Sequence, residues 1–495
     1  MSQEVLRESP DGSREGHVVI RGYPKTAWAV VAILVLASIV WQNIRFQKAT
    51  EKPASVVRQD LLDIQGRYLV AASKVPGVSG SELYASIERG LRSQPLPTRL
   101  RLAVLAGELI GPEEAIEQLD AAEASAAESS GKLTAVDRQL VTTLRRLYSD
   151  YQDGRWKAPS VEPKDRELVS GNLGWFGRLA LAPNRRETTK DDAATADPAR
   201  DQVMATAWHT FRVVIAASLI VLVLGLAGLF GASLFLIFFA MGYVRSAIAT
   251  GNANSGVYAE TFALWMILLI VSSVGAEFIV PVFPDSPIAI RAVMFLFTLV
   301  ALLWPVVRGV PWQQVRREIG WTTGRHPVRE IAWGVVCYVS NLPIMAIGVV
   351  AVLVLTWIVA QFAGDPSGME SGQPPTHPVF AWARDATWFT QALILLLAAG
   401  IAPIVEETFF RGVLYRHLRE STGRWQTGLS IACSVLFNSF VFAAIHPQGL
   451  IAVPALMSIA TGLSLAREWR GSLLAPMIMH GVNNGLVMLL LFSLF

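Results

Sequence analysis

This sequence contains few charged residues and only two cysteines, and its C-terminal part has no lysine. Only 16% of the 495 residues are charged and 52% are hydrophobic, whereas a soluble domain carries about 25% charged residues. The two cysteines, Cys337 and Cys433, fall in apolar segments, which excludes a disulfide framework. All eight lysines lie between Lys25 and Lys190. The net charge of +3 averages a polar N-terminal part and an apolar C-terminal part, and it indicates no nucleic-acid partner.

Nine apolar segments are each near the ~20 residues that cross ~30 Å of hydrocarbon. The first, 27–44, follows a basic tail and is not followed by a small-residue cleavage site, so we predict an uncleaved signal anchor. The others are Val213–Gly242, Phe262–Val282, Ile288–Val307, Ile331–Phe362, Trp388–Val405 (continuing as a helix), Gly428–Ile445, Leu450–Ala466 and Leu473–Phe495. The predicted fold class is all-α, a polytopic helical membrane protein with about nine transmembrane helices.

The polar segment between the first and second spans is a separate unit. Residues 46–205 have a soluble composition and end in a polar linker, 185–200. Apolar residues recur there at helical spacing in Ser81–Leu91, Thr98–Ile110, Pro112–Ala127 and Thr134–Tyr151. We therefore predict a cytoplasmic tail and anchor (1–45), a soluble helical domain with its linker (46–205), further transmembrane helices (206–384) and a final helical core (385–495).

Arginine placement predicts the orientation in the membrane. Five arginines occupy the loop Arg308–Arg329, four occupy Arg411–Arg424, and the loops between them in the series carry no Lys or Arg. Since basic loops face the cytoplasm, the N-terminus is predicted inside and residues 46–205 outside, in a bacterial inner membrane.

Two carboxylates and an arginine follow an uncharged stretch in the string PIVEETFFRG. Each ionisable side chain at bilayer depth costs roughly 2.5–3.5 kcal/mol, so Glu406, Glu407 and Arg411 call for a functional explanation. Glu407 and Arg411 are four residues apart and can pair on one helix face. Glu406 lies about 100° around the helix without a local partner, which suits a general base.

Two histidines in later apolar segments are candidate partners. His480 and Asn484 lie four residues apart, as do Phe442 and His446, so each pair shares a helix face. A carboxylate, two imidazoles and an amide that meet in a dry cavity can activate a water and stabilise an oxyanion, with or without a metal.

These three strings resemble the motifs of one family. EETFFR is similar to E-E-x-x-x-R, FAAIH at 442–446 to F-x-x-x-H, and HGVNN at 480–484 to H-x-x-x-N of the CAAX protease and bacteriocin-processing (CPBP or Abi) family of intramembrane proteases. The eukaryotic type II CAAX prenyl endopeptidase is its best-known relative. The resemblance covers residues 385–495, which it identifies as a catalytic core, and no motif position departs from the pattern.

The resemblance implies a metalloendopeptidase and a role for each matching residue. The implied catalytic set is Glu406, Glu407, Arg411, His446, His480 and Asn484. Glu406 and His446 would activate the water that attacks a peptide carbonyl. His480 and Asn484 would stabilise the oxyanion, or His446 and His480 would hold Zn²⁺, although no H-E-x-x-H motif is present. Glu407 and Arg411 would orient the site.

The set can meet only if the helix continues past Val405, because a span ending there would separate Glu406 from His446 by most of the bilayer. Other polar residues of the apolar segments show no partner at a telling spacing, and we predict structural or flanking roles for Glu277, Arg291, Asn341 and Asn438. Three histidines outside the motifs are predicted to be solvated: His326, His377 and His417.

The leading hypothesis is an intramembrane endopeptidase that cleaves a membrane-associated or lipidated protein or peptide. Because the anchor and outward domain are typical of bacteria, a lipoprotein-like or small peptide substrate is as suitable as a prenylated one. Residues 46–205 are predicted to recruit a partner. The alternatives are a transporter or proton relay, which lacks support from internal repeats, and a non-catalytic scaffold or immunity protein.

Overall fold

The computed structural model of the protein is helical throughout the part that it describes. That part comprises residues 18, 20–49, 53–91, 94–128, 133–156, 159–182, 197–251, 254–284, 286–324, 326–362 and 386–494. The helices are α1 (Pro24–Ala49), α2 (Pro53–Ala72), α3 (Gly80–Leu91), α4 (Leu96–Leu109), α5 (Pro112–Glu128), α6 (Ala135–Gln152), α7 (Pro163–Leu173), α8 (Trp175–Leu181), α9 (Pro198–Ala240), α10 (Ser255–Val282), α11 (Pro287–Val307), α12 (Trp312–Ile319), α13 (Pro327–Phe362), α14 (Trp388–Ser421), α15 (Thr427–Ala444), α16 (Leu450–Arg470) and α17 (Leu474–Leu494). The all-α prediction is confirmed.

Helices α2 to α8 form the soluble unit, and the first turns of α9 complete its core. One cluster of buried apolar side chains extends from Leu62 to Ala207. The four helices predicted from the spacing of apolar residues are present as α3 to α6. Thr134 begins α6 with a capping box, in which its side chain accepts from Asp137 N and Asp137 bonds back to Thr134 N. Most of the predicted linker, 183–196, lies outside the described residues.

Eight helices are long and apolar enough to cross a membrane, and they correspond one by one to the eight predicted spans that follow the anchor. Six of them have mostly exposed side chains, as expected of surfaces that face lipid, whereas α15 and α16 are half-buried. The described apolar part of α1, Pro24–Val40, is shorter than these. It nevertheless packs against α10 through Ala27 and Val31. The ninth span stays a prediction.

Side chains at the start of α10 and from α12 contact the backbone of residues 18 and 20, shortly before α1. Asn254 accepts from Ile20 N at 2.7 Å and donates to Val18 O at 2.9 Å. Gln314 makes a similar pair of bonds with Val18 N and O, at 3.1 and 2.9 Å. All seven atoms of these four bonds belong to the backbone of Val18 and Ile20 or to the two primary amides, so the contact binds the backbone of the segment rather than its side chains. We call this contact the N-terminal latch.

Arginine-rich helix ends gather at one end of the bundle, opposite the soluble unit. The loop after α9 bonds to the end of α16 through Ala247 N and Glu468 O at 2.8 Å. At that same end Arg470 pairs with Glu330 at the start of α13, at 2.6 Å. At the other end, His209 near the soluble unit lies 3.0 Å from the Ser493 carbonyl of α17.

One prediction about an isolated polar residue was wrong. His417 was expected to be solvated, but it is 2% exposed and bonds to Ser255 O at 2.7 Å and to Trp28 Nε1 at 2.8 Å. Glu277 and Arg291 showed no partner at a helical spacing, and they pair with each other at 3.3 Å between α10 and α11, which is consistent with the structural or flanking role predicted for them. His326 is exposed as predicted, and His377 lies outside the described residues.

Candidate active site

The motif EETFFR lies inside the long helix α14, as predicted. The helix continues past Val405 to Ser421, but 396–401 and 408–414 are π-helical. Pro403 follows the first π segment and has no N–H for the carbonyls four and five residues before it, those of Ala399 and Ala398. The helix therefore has one backbone donor fewer in this turn, just before the motif EETFFR, and its carbonyls can accept from the neighbouring helix α17.

Glu407, Arg411 and His480 form a buried charged cluster. Arg411 Nη1 lies 3.0 Å from Glu407 Oε1, and both side chains are fully buried. His480 Nδ1 lies 2.8 Å from the same carboxylate oxygen. Arg411 also donates from Nη2 to Ala460 O of α16 at 3.2 Å. Because the ion pair is desolvated, each charge depends on the other, and the cluster links α14, α16 and α17 at a single depth.

Glu406 faces both motif histidines. Its Oε2 lies 3.7 Å from His446 Nε2 and 3.8 Å from His480 Nε2. Within the described part of the chain this buried oxygen has no hydrogen-bond partner. The three motifs, separate in the sequence, thus meet at one carboxylate.

Hydrogen bonds at Nδ1 fix how both imidazoles face Glu406. His446 Nδ1 lies 2.5 Å from the carbonyl of Phe442, an acceptor only, so this nitrogen carries the proton. The Glu407 carboxylate imposes the same choice on His480 Nδ1. With the proton on Nδ1 alone, an imidazole directs the lone pair of Nε2 at Glu406, and such an arrangement needs a group that can donate hydrogen bonds among the acceptors.

Asn484 lies one turn beyond His480 and contacts α14 rather than Glu406. Its Nδ2 donates to Ala398 O at 2.9 Å, and its Oδ1 accepts from Asn483 at 3.1 Å. A Cβ on Gly481 would lie 2.6 Å from Ala399 O, so glycine is what allows α17 to approach this carbonyl. Asn484 and Gly481 together set the position of His480 against the motif helix.

Aromatic rings close the inner wall of the site. Arg411 stacks over Phe442 with 4.5 Å from its guanidinium carbon to the ring centre, and the Phe442 ring lies 4.1 Å from that of His446. Phe410 meets Phe442 edge to face at 5.0 Å. This wall keeps the charged cluster out of the hydrocarbon and strengthens the electrostatic interactions inside it.

The described residues do not supply a metal site. Within them, no three His, Cys, Asp or Glu side chains form a group that could hold a metal ion. The nearest approach to one is Glu406 with His446 and His480, since Glu407 Oε1 is already engaged by Arg411 and His480. Zinc with His446 and His480 as ligands stays a prediction.

Residues 388–486 match the family model described as type II CAAX prenyl endopeptidase Rce1-like. This match covers about a fifth of the chain and supports its membership in the CAAX protease family. The Rce1-like segment begins at the first residue of α14 and ends just after Asn484, so it contains all three motifs. The family relationship identifies a CAAX-type membrane protease at family level. No curated protein and no solved structure matches the chain.

Sequence reasoning missed the backbone groups of the Rce1-like segment. The Phe442 and Ala398 carbonyls orient His446 and Asn484, and the Ala460 carbonyl binds Arg411. Pro403 was a usable signal, because a proline inside a helix always frees a carbonyl about one turn earlier. Nothing in the sequence indicated Ala460, which reaches the site only through the packing of α16.

Proposed function

We propose that this chain is an intramembrane endopeptidase that hydrolyses a peptide bond of a membrane-associated or lipidated protein or peptide. The observation that supports this best is the unpartnered Glu406 carboxylate facing His446 Nε2 and His480 Nε2 inside a membrane helix bundle. A carboxylate beside two imidazoles in a low-dielectric site is what general-base activation of water requires.

In this mechanism Glu406 is the base and the later acid. A water donates hydrogen bonds to Glu406 Oε2 and to the lone pair of His446 Nε2. Glu406 takes one proton while the water oxygen bonds to the substrate carbonyl carbon, whose oxygen becomes negative. When the carbon–nitrogen bond breaks, Glu406 returns the proton to the leaving nitrogen. The carboxylate is therefore regenerated in each turnover.

His480 stabilises the oxyanion in the same mechanism. Its Nδ1 stays bonded to the buried Glu407 carboxylate, and an Nε2–H on this ring would donate to the oxyanion. Asn484 has a second amide hydrogen besides the one on Ala398 O, and we assign it a supporting role there. Glu407 and Arg411 are positioning residues, since they act through His480.

The location of the site inside a bundle of apolar helices indicates the class of substrate. The site lies among helices whose outer faces are apolar, so the substrate must enter from the bilayer or its surface. The helical unit of residues 46–205 is proposed to recruit the substrate or a partner. Orientation with the arginine-rich loops in the cytoplasm of a bacterial cell is part of the same proposal.

Cleavage by the protein in liposomes tests the proposal. The probes are a prenylated CAAX peptide and a diacylated lipopeptide, and products are identified by mass spectrometry. Glu406→Gln keeps the shape but removes the base, so we expect cleavage to fall by about 10²–10⁴-fold. Glu277→Gln, a carboxylate change on α10 outside the site, is the matched control and should keep activity. Equal cleavage by Glu406→Gln and wild type would overturn the proposal.

A further inference from the structure

A polar cavity opens at the arginine-rich end of the bundle. Its volume is about 350 Å³, and it is bounded by residues 246–250, the end of α14 and the start of α15. Arg419 and Ser430 lie in its wall. The guanidinium of Arg419 is neutralised by Glu468, at 3.0 and 3.1 Å, so the cavity is polar without a free charge. Such a space suits water better than an ionic ligand.

From this cavity a line of polar side chains follows one face of α15 into the membrane. Ser430, Ser434 and Asn438 are spaced four residues apart, and all three are fully buried. Thr422 Oγ1 lies 2.6 Å from Ser430 Oγ and 3.3 Å from Ser434 Oγ. The opposite face of α15, with Leu436 and Phe440, is exposed toward lipid.

At Asn438 the line crosses to α16 and reaches the active site. Asn438 Nδ2 donates to Ser464 Oγ at 3.0 Å, and Ser464 donates to Ala460 O at 2.9 Å. Arg411 binds the same Ala460 carbonyl and pairs with Glu407. A nearly continuous series of polar contacts therefore joins the cavity to the charged cluster beside His480.

The inner part of this line has buried polar atoms without partners. Within the described residues, Asn438 Oδ1, Arg411 Nε, Glu407 Oε2 and Glu406 Oε2 make no hydrogen bond. Groups of this kind are rarely left unsatisfied, because each costs about 1–3 kcal/mol. They include both donors and acceptors, and water is the small molecule that satisfies both. Polar residues that only join two membrane helices would satisfy one another instead.

We propose that this seam between α15 and α16 is a hydrated path that carries water from the cavity at the arginine-rich end to Glu406. Its purpose rests on the proposed function, since hydrolysis consumes one water for each peptide bond and the bilayer supplies none. The path passes Ser430, Ser434, Asn438 and Ser464 in that order. Asn438 is the point at which the path changes from α15 to α16.

Cysteine accessibility tests the path without depending on proteolysis. In the full chain with Cys337→Ala and Cys433→Ala, single cysteines are placed on the path (Ser434→Cys, Ser464→Cys) or on the lipid face of α15 (Leu436→Cys, Phe440→Cys). The protein in liposomes is exposed to Ag⁺, which reaches hydrated thiols but not hydrocarbon. Thiols left free are then counted with a maleimide after denaturation. We expect Ag⁺ to block the two path cysteines and to spare the two controls.

Substitution of Asn438 tests the order of the path. Asn438→Leu should return Ser464→Cys to the background reactivity of the controls and leave Ser434→Cys reactive, because only the former lies beyond residue 438. Asn438→Ser should preserve both reactivities. If Asn438→Leu does not fold, judged by its elution and unfolding temperature, Asn438→Val serves in its place. Path cysteines as unreactive as Leu436→Cys would overturn the proposal, and so would loss of both reactivities in a folded Asn438→Leu variant.

Discussion

At the residue scale, the buried ion pair Glu407–Arg411 should affect stability strongly when one of its partners is removed. Arg411→Met leaves the Glu407 carboxylate buried without its charge partner, which should lower stability by about 3–5 kcal/mol. Glu407→Gln in the same protein removes that stranded charge and still accepts from His480 Nδ1. We therefore expect the double variant to unfold at a higher temperature than Arg411→Met alone, as measured by thermal unfolding in detergent. A double variant no more stable than Arg411→Met would contradict this account of the pair.

Asp150 in the soluble unit makes stability depend on pH. Burial raises the pKa of this carboxyl, but hydrogen bonds from Ser160 and the ion pair with Arg155 outweigh it and lower the pKa below its usual value. A depressed pKa stabilises the fold above about pH 4, the unfolded value, and this contribution is lost as the pH falls through the folded pKa. The protection of α6 amides from hydrogen exchange in the full chain, relative to the intrinsic exchange rate at each pH, should fall over that range.

Asp150→Asn should remove this acid-dependent step and speed the exchange of α6 at neutral pH as well. Asp153→Asn is the matched control, because Asp153 pairs with the same Arg155 but is mostly exposed. It should leave both the exchange rate and its pH dependence near those of wild type. An unchanged pH profile in Asp150→Asn would show that other carboxyls cause the acid effect.

The position of a single residue in the site could be predicted from sequence only where its spacing from another residue indicated a shared or a different helix face. A helix turns by about 100° per residue, so Glu406 was expected on a different face from the Glu407–Arg411 pair. In the structure Glu407 pairs with Arg411, whereas Glu406 faces His446. His417 was misjudged because its partners, Ser255 and Trp28, are distant in the chain and nothing local announces them. Periodicity reports which face a residue occupies, whereas a partner on another helix depends on packing.

At the element scale, α14 shows where helix prediction succeeds and where it stops. Its continuation past Val405 was predictable, because the motif residues could not otherwise meet. Its two π segments were not, since the sequence indicates only that Pro403 disturbs the helix. The disturbed turn contacts α17 here: the Ala398 carbonyl accepts from Asn484 and helps align α17 with the motif.

The close approach of α17 to α14 gives a test of that alignment. Gly481→Ala would put a Cβ 2.6 Å from Ala399 O, so α17 must shift and carry His480 away from Glu406. We expect a loss of about 1–3 kcal/mol in stability and a larger relative loss of cleavage. Gly485→Ala on the same helix adds a Cβ at an ordinary 3.6 Å from Ala399 Cβ and is the control. Equal behaviour of the two variants in unfolding and cleavage assays would refute the role of Gly481.

At the scale of the whole molecule, the N-terminal latch joins the segment before the first helix to Asn254, which precedes α10, and to Gln314 of α12. Asn254→Ala removes the bonds to Val18 and Ile20. The latch should then open more often, so trypsin should cut at Arg21 and Lys25 sooner than in wild type, as followed by mass spectrometry. Asn172→Ala, whose side chain bonds only within α7 among the described contacts, should not change the rate. If trypsin cuts Asn254→Ala at the same rate as wild type, then Gln314 and the packing of α1 are sufficient to keep the latch closed without Asn254.

The distribution of arginines predicts which end of the helix bundle faces the cytoplasm, and this orientation can be measured. Arginine-rich ends gather opposite the soluble unit, because α9 connects the two along the bundle. With the arginines inside, Ser86→Cys in α3 lies outside the cell and Thr323→Cys, between α12 and α13, lies inside. In a chain without Cys337 and Cys433, an impermeant maleimide should label Ser86→Cys in intact cells and Thr323→Cys only after lysis. The reverse pattern would invert the topology and place the mouth of the water path outside the cell.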